Sequence, residues 1–303
     1  MKADVIPPVS EHLFIARTLA WFDLVKLRIS IMNAVSALAG YVVFRPCLGW
    51  DLIETVASVF VLACGSGTLN NYQDRKLDGL FSRTRERPLP KHLISARHAL
   101  MISMILIISS LGGLFIIHPM GSPVLLGGLA VILYNGVYTP LKTKYVLAII
   151  PGSMCGMLPP LIGWVAAGGS IHASQILVLM AVLGLWQVPH FWLILLSGHG
   201  EYRQTGLRNM LGVFSIEQLN RIMFVWVMAF ACVAMELPMV HVIINTWLRG
   251  GLAVCLMMLV LLFAHGLFFR HNVSGYSFLF KSLNVSMGCI LWVAIADRLI
   301  LGI

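Results

Sequence analysis

Along this chain the hydrophobic positions neither alternate nor form narrow stripes. They come in long unbroken runs separated by polar punctuation. Nine runs cover residues 28–44, 52–72, 94–117, 123–140, 146–167, 174–196, 219–244, 247–269 and 276–300. Each is near the ~20 residues a helix needs to cross a hydrocarbon layer. Membrane-spanning strands would instead show short alternating segments. The pattern therefore predicts an all-α polytopic membrane protein, with one domain over 28–303 after an N-terminal segment, 1–27. That segment carries Asp4, Glu11 and Asp23 and lacks a short apolar core with a small-residue cleavage site. It does not read as a cleaved signal, and the first run is expected to be retained. Pro119, Pro123, Pro140, Pro151, Pro159, Pro160 and Pro238 lie near run ends or interrupt runs, while Pro189 sits inside the sixth run and is expected to kink it.

Composition agrees with a bilayer as solvent: 59% of the 303 residues are hydrophobic and 11% charged, and mean hydropathy is +0.88. The formal net charge of +9 has a topological explanation that needs no nucleic acid. With nine spans and a cytoplasmic N-terminus, only Arg45, Arg249 and Arg298 of the 21 basic residues fall on the far side. The rest, including Lys2, Arg17, Lys26, Arg28, Lys142, Lys144, Arg208 and Arg270, gather on the cytoplasmic side. The two long polar connections, 73–93 and 197–218, then share that side, as expected for a bacterial inner-membrane protein. The six cysteines show no CxxC spacing and read as small buried hydrophobes.

The polar residues are few enough to be read one by one. Asn70, Asp74 and Asp78 repeat at four-residue intervals, so on a helix they share roughly one face. Oxygen ligands on successive turns suit a hard cation such as Mg²⁺, which binds through one or two carboxylates plus substrate phosphate. The plainer alternative is a solvated helix end whose acids pair with Arg75 and Lys76. Gly65, Ser66 and Gly67, just upstream, would let another helix come close. Arg83, Arg85 and Arg87 follow. Guanidinium groups bind phosphate oxygens in pairs, and Arg83 and Arg87 are the candidates, with Arg85 left to the lipid surface.

Two further patches close spans on the same side. Tyr134-Asn-Gly-Val-Tyr138-Thr-Pro-Leu-Lys142 ends the fourth run. Lys142, with Tyr138 beside it, could reach a diphosphate or act as an interfacial anchor. Leu185-Trp186-Gln187-Val188-Pro189-His190-Phe191-Trp192 ends the sixth, followed by His199-Gly200-Glu201. Trp186, His190 and Trp192 are candidates to line an acceptor pocket, and Glu201 could complete a second metal site opposite Asp74 and Asp78. His190 could equally serve as a helix-to-helix hydrogen bonder. No phosphate-binding P-loop, dinucleotide fingerprint, HExxH or GxSxG string occurs.

These four patches, in this order, resemble the UbiA family of intramembrane prenyltransferases. The strings Asn-Asn-Tyr-x-Asp, Arg-Thr-Arg-Glu-Arg-Pro-Leu-Pro, Tyr-Thr-Pro-Leu-Lys, Pro-Pro-Leu-Ile-Gly-Trp (159–164), Leu-Trp-Gln-Val-Pro-His-Phe and Glu-Tyr-Arg-x-x-Gly look like the family's heme-farnesylating branch. The chain departs from that branch at 197–211, at 143–150 and at Lys26-Leu27-Arg28, and it lacks the family's second DxxxD. The resemblance implies nine transmembrane helices around a central cavity. It implies Mg²⁺ as cofactor, held by Asn70, Asp74 and Asp78, with Glu201 a candidate for a second ion. Lys142 would join those three in catalysis, and Arg83, Arg87, Lys142 and Tyr138 would hold the diphosphate. Farnesyl diphosphate would be the donor and heme B the acceptor, against His190, Trp186 and Trp192. Membrane lipid and heme-modifying or oxidase-assembly proteins would be partners. Transfer to a quinone-ring precursor or a lipid is the rival enzymatic reading. A transporter is the rival from another class, which predicts opposed charges at mid-membrane or inverted repeats. A CDP-alcohol phosphotransferase would carry an Asp-Gly and Ala-Arg arrangement that is absent here.

Overall fold

In a computed structural model the described residues are 11–119, 121–204, 210–269 and 273–302, with 11–17 and 202–204 described by backbone alone. Among them, nine helices are long and apolar enough to cross a membrane. They follow the nine hydrophobic runs, and the protein is a multi-pass integral membrane protein. In chain order the helices are α1 (Glu11–Leu24), α2 (Leu27–Phe44), α3 (Trp50–Asp78) and α4 (Ala96–Ile117). The fourth span is composite: α5 (Ser122–Val131), a π-helical stretch (Ile132–Tyr138) and α6 (Thr139–Leu141). Then come α7 (Ile149–Ala166), α8 (Ser174–Ser197), the short α9 (His199–Gln204), α10 (Ile216–Ala234), α11 (Thr246–Phe269) and α12 (Val273–Leu301).

Two boundaries differ from the hydrophobic pattern. The second span runs six residues past its apolar stretch, to Asp78, so the polar NxxxDxxxD face lies wholly on regular helix. The seventh ends at Ala234, ten residues early. The apolar residues that follow, around Pro238, fold back instead as tight turns: Leu237 and Val242 are fully buried, and the Val242 amide donates to the Leu237 carbonyl at 2.9 Å. Asp297, 1% exposed, holds this turn by accepting the amides of Ile244 and Asn245 at 2.6 and 2.9 Å, and Arg298 donates to the His241 carbonyl. The sixth run keeps its bounds: α8 spans Ser174 to Ser197 with Pro189 inside it.

The core forms around α7, which packs against α2, α3, α5 and α8; α8 in turn meets α10 and α12, and α12 returns to α2. In lipid, helices gain little by hiding apolar surface from one another, so close backbone packing carries the association. Gly40 and Gly163 make it possible. A side chain at Gly40 would collide with the Pro160 carbonyl, and one at Gly163 with the Ala37 carbonyl. The small residues of α3 act likewise: Gly65 lies against Ile107 of α4, and Gly67 against Lys26. The outer faces carry exposed Ile105, Ile108, Phe115, Leu125 and Leu261, as a lipid-facing surface requires.

Replacing Gly163 by Val should cost about 1–3 kcal/mol by forced overpacking. It lowers the midpoint of thermal unfolding in detergent, whereas Gly128→Ala, at a position with open space around it, leaves the midpoint unchanged.

Candidate active site

The site assembles on the last two turns of α3. Asn70, Asp74 and Asp78 are 2%, 7% and 5% exposed, so the two carboxylates sit in a poorly hydrated environment. A buried charge is tolerable only with a partner. The alternative in which Arg75 and Lys76 neutralise these acids does not hold. Arg75 folds back over the Tyr72 ring at 4.3 Å and donates to the Tyr72 carbonyl. The partners come from other elements instead. Lys142, just after α6, binds Asp74. Arg87, in the loop after α3, places one nitrogen 2.7 and 2.8 Å from the two Asp78 oxygens and 3.5 Å from Asn71 Oδ1. The third partner is Lys26, whose ammonium donates to Asn70 Oδ1 and lies 3.5 Å from the Tyr134 hydroxyl.

Each cation is delivered by a specific piece of local structure. Lys26 occupies the joint between α1 and α2 in the left-handed conformation, φ 52°. Its neighbour Leu24 anchors that joint by accepting from Asn71 Nδ2 at 2.8 Å. Burial first, then the nearby Arg87 and Lys142 charges, bring the Lys26 ammonium down to about 7. Arg87 is set by a loop with its own small core: Leu89 and Ile94 pack with Ala20, Leu24 and Ala99. Thr84 donates to the Asp78 carbonyl at 2.8 Å, and Lys91 pairs with Glu86.

Lys142 is aimed by the π-helical stretch. Pro140 has no N–H to give the Gly136 carbonyl, so the regular ladder cannot continue there. Thr139 spans the wider turn, both its amide and its hydroxyl bonding the Tyr134 carbonyl, and its hydroxyl accepts from Asn70 Nδ2 at 2.9 Å. Gln73 donates to the Asn135 carbonyl at 2.9 Å, and Asn135 Nδ2 reaches back to the Ser66 carbonyl at 3.0 Å. Single π turns often mark functional positions; here the widened turn is bonded directly to the acidic face of α3.

From this polar cluster a file of rings leads away. Lys142 Nζ lies 5.6 Å from the Tyr138 ring centre. Tyr138 stacks on Tyr134 at 5.7 Å and meets Phe191 of α8 at 5.8 Å. Phe191 adjoins His190 at 5.7 Å, and His190 lies between Trp186 at 4.7 Å and Phe280 of α12 at 4.8 Å. The Trp186 indole donates to the Leu283 carbonyl, while Nδ1 of His190 is buried without a hydrogen-bond partner.

The structure thus gathers Asn70, Asp74, Asp78, Arg87, Lys142 and Tyr138 in one cluster, and His190 with Trp186 in a second. Three candidates stand apart. Trp192 is two residues from His190 and so on the opposite side of α8, edge-on to Trp226 of α10 at 6.2 Å. Arg83 stays exposed on the loop. Glu201 accepts the Ser82 amide at 3.2 Å. That contact joins the two polar connections on one side of the bundle, yet among the described residues no three His, Cys, Asp or Glu side chains converge as a metal site. The altered segment 197–211 is described except for 205–209, which lie outside the described residues together with Lys2, Arg208 and Arg270. Lys26, Gln73, Asn135 and Thr139 escaped the sequence reading. For Lys26 the signals were a cation directly preceding a hydrophobic run and its place in the Lys26-Leu27-Arg28 string.

The chain belongs to the UbiA prenyltransferase family, whose model it matches over residues 29–285. It is 32% identical over 280 residues to the protoheme IX farnesyltransferase of Oleidesulfovibrio alaskensis, covering 92% of this chain and 96% of that one. To the protein of the same name from Geobacter sulfurreducens it is 38% identical over 186 residues, or 61% and 67% of the two chains. The fold matches a digeranylgeranylglyceryl phosphate synthase (TM-score 0.74, 16% identity, 94% and 99% covered). It also matches a UbiA homolog from Archaeoglobus fulgidus bound to GPP and Mg²⁺ (TM-score 0.70, 14% identity, 92% and 99% covered).

Removing one member of a buried ion pair strands the other. Arg87→Met should cost about 1–3 kcal/mol of stability. Combining it with Asp78→Asn recovers much of that loss, so a double-mutant cycle on unfolding midpoints reads a positive coupling between the two positions.

Proposed function

We propose that this prenyltransferase moves a farnesyl group from farnesyl diphosphate to a vinyl group of protoheme IX (heme B), giving heme O, with Mg²⁺ as cofactor. The observation that carries the reading is the cluster at the end of α3: two buried carboxylates and an amide oxygen, with three cations from three other segments around them. The donor set fits the metal. Asn70, Asp74 and Asp78 offer hard oxygens on successive turns of one helix, with Glu201 on the adjoining segment a candidate for a second ion. Bound there, Mg²⁺ would offset the negative charge of the leaving diphosphate. The acceptor follows from the similarity to protoheme IX farnesyltransferases over nearly the whole chain. The side of the bundle carrying the site faces the cytoplasm of a bacterial inner membrane, as the bias of basic residues favours.

In this reading Arg87 and Lys142 orient the diphosphate and receive its charge as the allylic C–O bond breaks, the electron pair leaving with the diphosphate. Tyr138 positions the phosphate end, and exposed Arg83 guides it in. Their stabilisation acts on charge that develops only as the bond breaks, which is where it accelerates the reaction. The Tyr134, Tyr138 and Phe191 rings present π faces to the allylic cation and keep water away. The acceptor lies against Trp186 and His190, with Trp192 buttressing that wall from behind. The vinyl π electrons form the new C–C bond, and water adds to the resulting cation with loss of a proton, leaving a hydroxyethylfarnesyl group. Residues 28–303 act as one transmembrane domain, and 1–27 lies on the cytoplasmic side. Heme-modifying or oxidase-assembly proteins would take the product.

Three measurements test this. Asp74→Ala lowers turnover of purified protein with Mg²⁺, farnesyl diphosphate and heme B by at least about 100-fold; retained activity would remove the metal assignment. The product has the mass of farnesylated, hydrated heme, and transfer to a quinone-ring precursor or lipid in its place would reassign the acceptor. His190→Leu raises the heme KM several-fold and leaves the farnesyl diphosphate KM near its original value; equal shifts in both would remove His190 from the acceptor site.

A further inference from the structure

Each of the three candidate metal-binding oxygen groups on α3 is held by a different basic side chain. Lys26 holds Asn70, Lys142 holds Asp74, and Arg87 holds Asp78. The ligand side is rigid, since all three acceptors ride on one 29-residue helix. The basic side chains come from three separate segments: Lys26 from a helix joint, Arg87 from a loop, and Lys142 from just after a three-residue helix. All three reach in on long side chains from segments that end near the site.

We propose that Arg87 and Lys142 are exchangeable counter-ions and Lys26 an exchangeable donor, which admit a divalent cation to Asn70, Asp74 and Asp78 only together with the diphosphate that takes them over. This rests on the proposed prenyltransferase site and specifies how it loads. A metal ion entering alone would displace Arg87 and Lys142 from their carboxylates, and these side chains, 27% and 21% exposed, are only partly hydrated, so losing the partner is costly. It would also add positive charge to a cluster in which Arg87 and Lys142 already match the two carboxylates. A diphosphate entering alone would meet Asp74 and Asp78 still charged and newly stripped of their partners. Together the two ligands solve both problems. The metal takes the carboxylates and the phosphate oxygens take Lys26, Arg87 and Lys142, so no buried charge is left unmatched. The prediction is strong positive coupling between metal and diphosphate, equal in both directions.

Full-length protein in lipid nanodiscs is titrated with Mn²⁺, read from the EPR signal of the free ion. Titrations are run with and without a saturating hydrolysis-resistant farnesyl thiolodiphosphate, with protein-free controls for their complex in solution. Mn²⁺ binds at least about tenfold tighter with the analogue present, and the analogue gains by the same factor from Mn²⁺. Lys142→Met and Lys26→Met each tighten Mn²⁺ binding without the analogue and shrink the coupling, whereas Lys142→Arg preserves it. Equal Mn²⁺ affinity with and without the analogue overturns the exchange, as do Met variants that bind Mn²⁺ alone no better than wild type. The wild-type comparison needs no variant, so it stands even if a Met variant fails to fold. Failure of Mn²⁺ to bind even with the analogue would overturn the site reading itself, and with it the exchange.

Discussion

Two carboxylates buried at the end of a membrane helix constrain the rest of this structure. Burying the Asp74 and Asp78 carboxylates is costly without cations beside them, and α3 itself supplies none that reach them. The chain must therefore bring a lysine from the end of the fourth span and an arginine from the following loop to within hydrogen-bond range. Much that looks incidental serves this. The loop 79–95 has a small hydrophobic core of its own, α1 packs under it, and the fourth span gives up its regular α-helix just where it meets α3.

The π-helical stretch is the clearest case of local chemistry bent to a tertiary end. A proline four residues after Gly136 removes a donor, and an amide side chain from α3 takes up the neighbouring carbonyl. Thr139 then bonds both its own helix and Asn70, tying the widened turn to the acidic face. The same segment starts the file of rings through Tyr138 and Phe191 toward His190. Polar cluster and aromatic file are thus two consequences of one irregular turn, and the distance between them is governed by helix packing rather than by a flexible loop.

Away from the site, the bilayer sets the rules. Helices whose outer faces match the lipid gain stability from close backbone contact, and the α2–α7 crossing reaches it through Gly40 and Gly163. At the opposite end of α12, Asp297 and Arg298 hold the 237–245 turn by its backbone. Its amides and carbonyls would otherwise be left without partners near the membrane. The hydrophobic pattern extends the seventh span through that turn, because hydrophobicity alone does not distinguish a helix from apolar residues folded back on themselves.

The solvent, the number of spans and the register of the acidic face are legible in the chain alone. Those depend on run length and on the four-residue spacing of Asn70, Asp74 and Asp78, which are properties of the chain in order. It marked Lys142 and Arg87 as cations near span ends and left open what they touch. Only the tertiary structure paired Asp74 with Lys142 and Asp78 with Arg87 in place of the adjacent Arg75 and Lys76. Only it brought Lys26 to Asn70, turned Trp192 away from His190, and set Glu201 on the Ser82 amide. The reason is physical: which charges meet in a low-dielectric interior depends on how helices cross and where their joints fall, and partners 44, 68 and 9 residues apart leave no periodic trace in the chain.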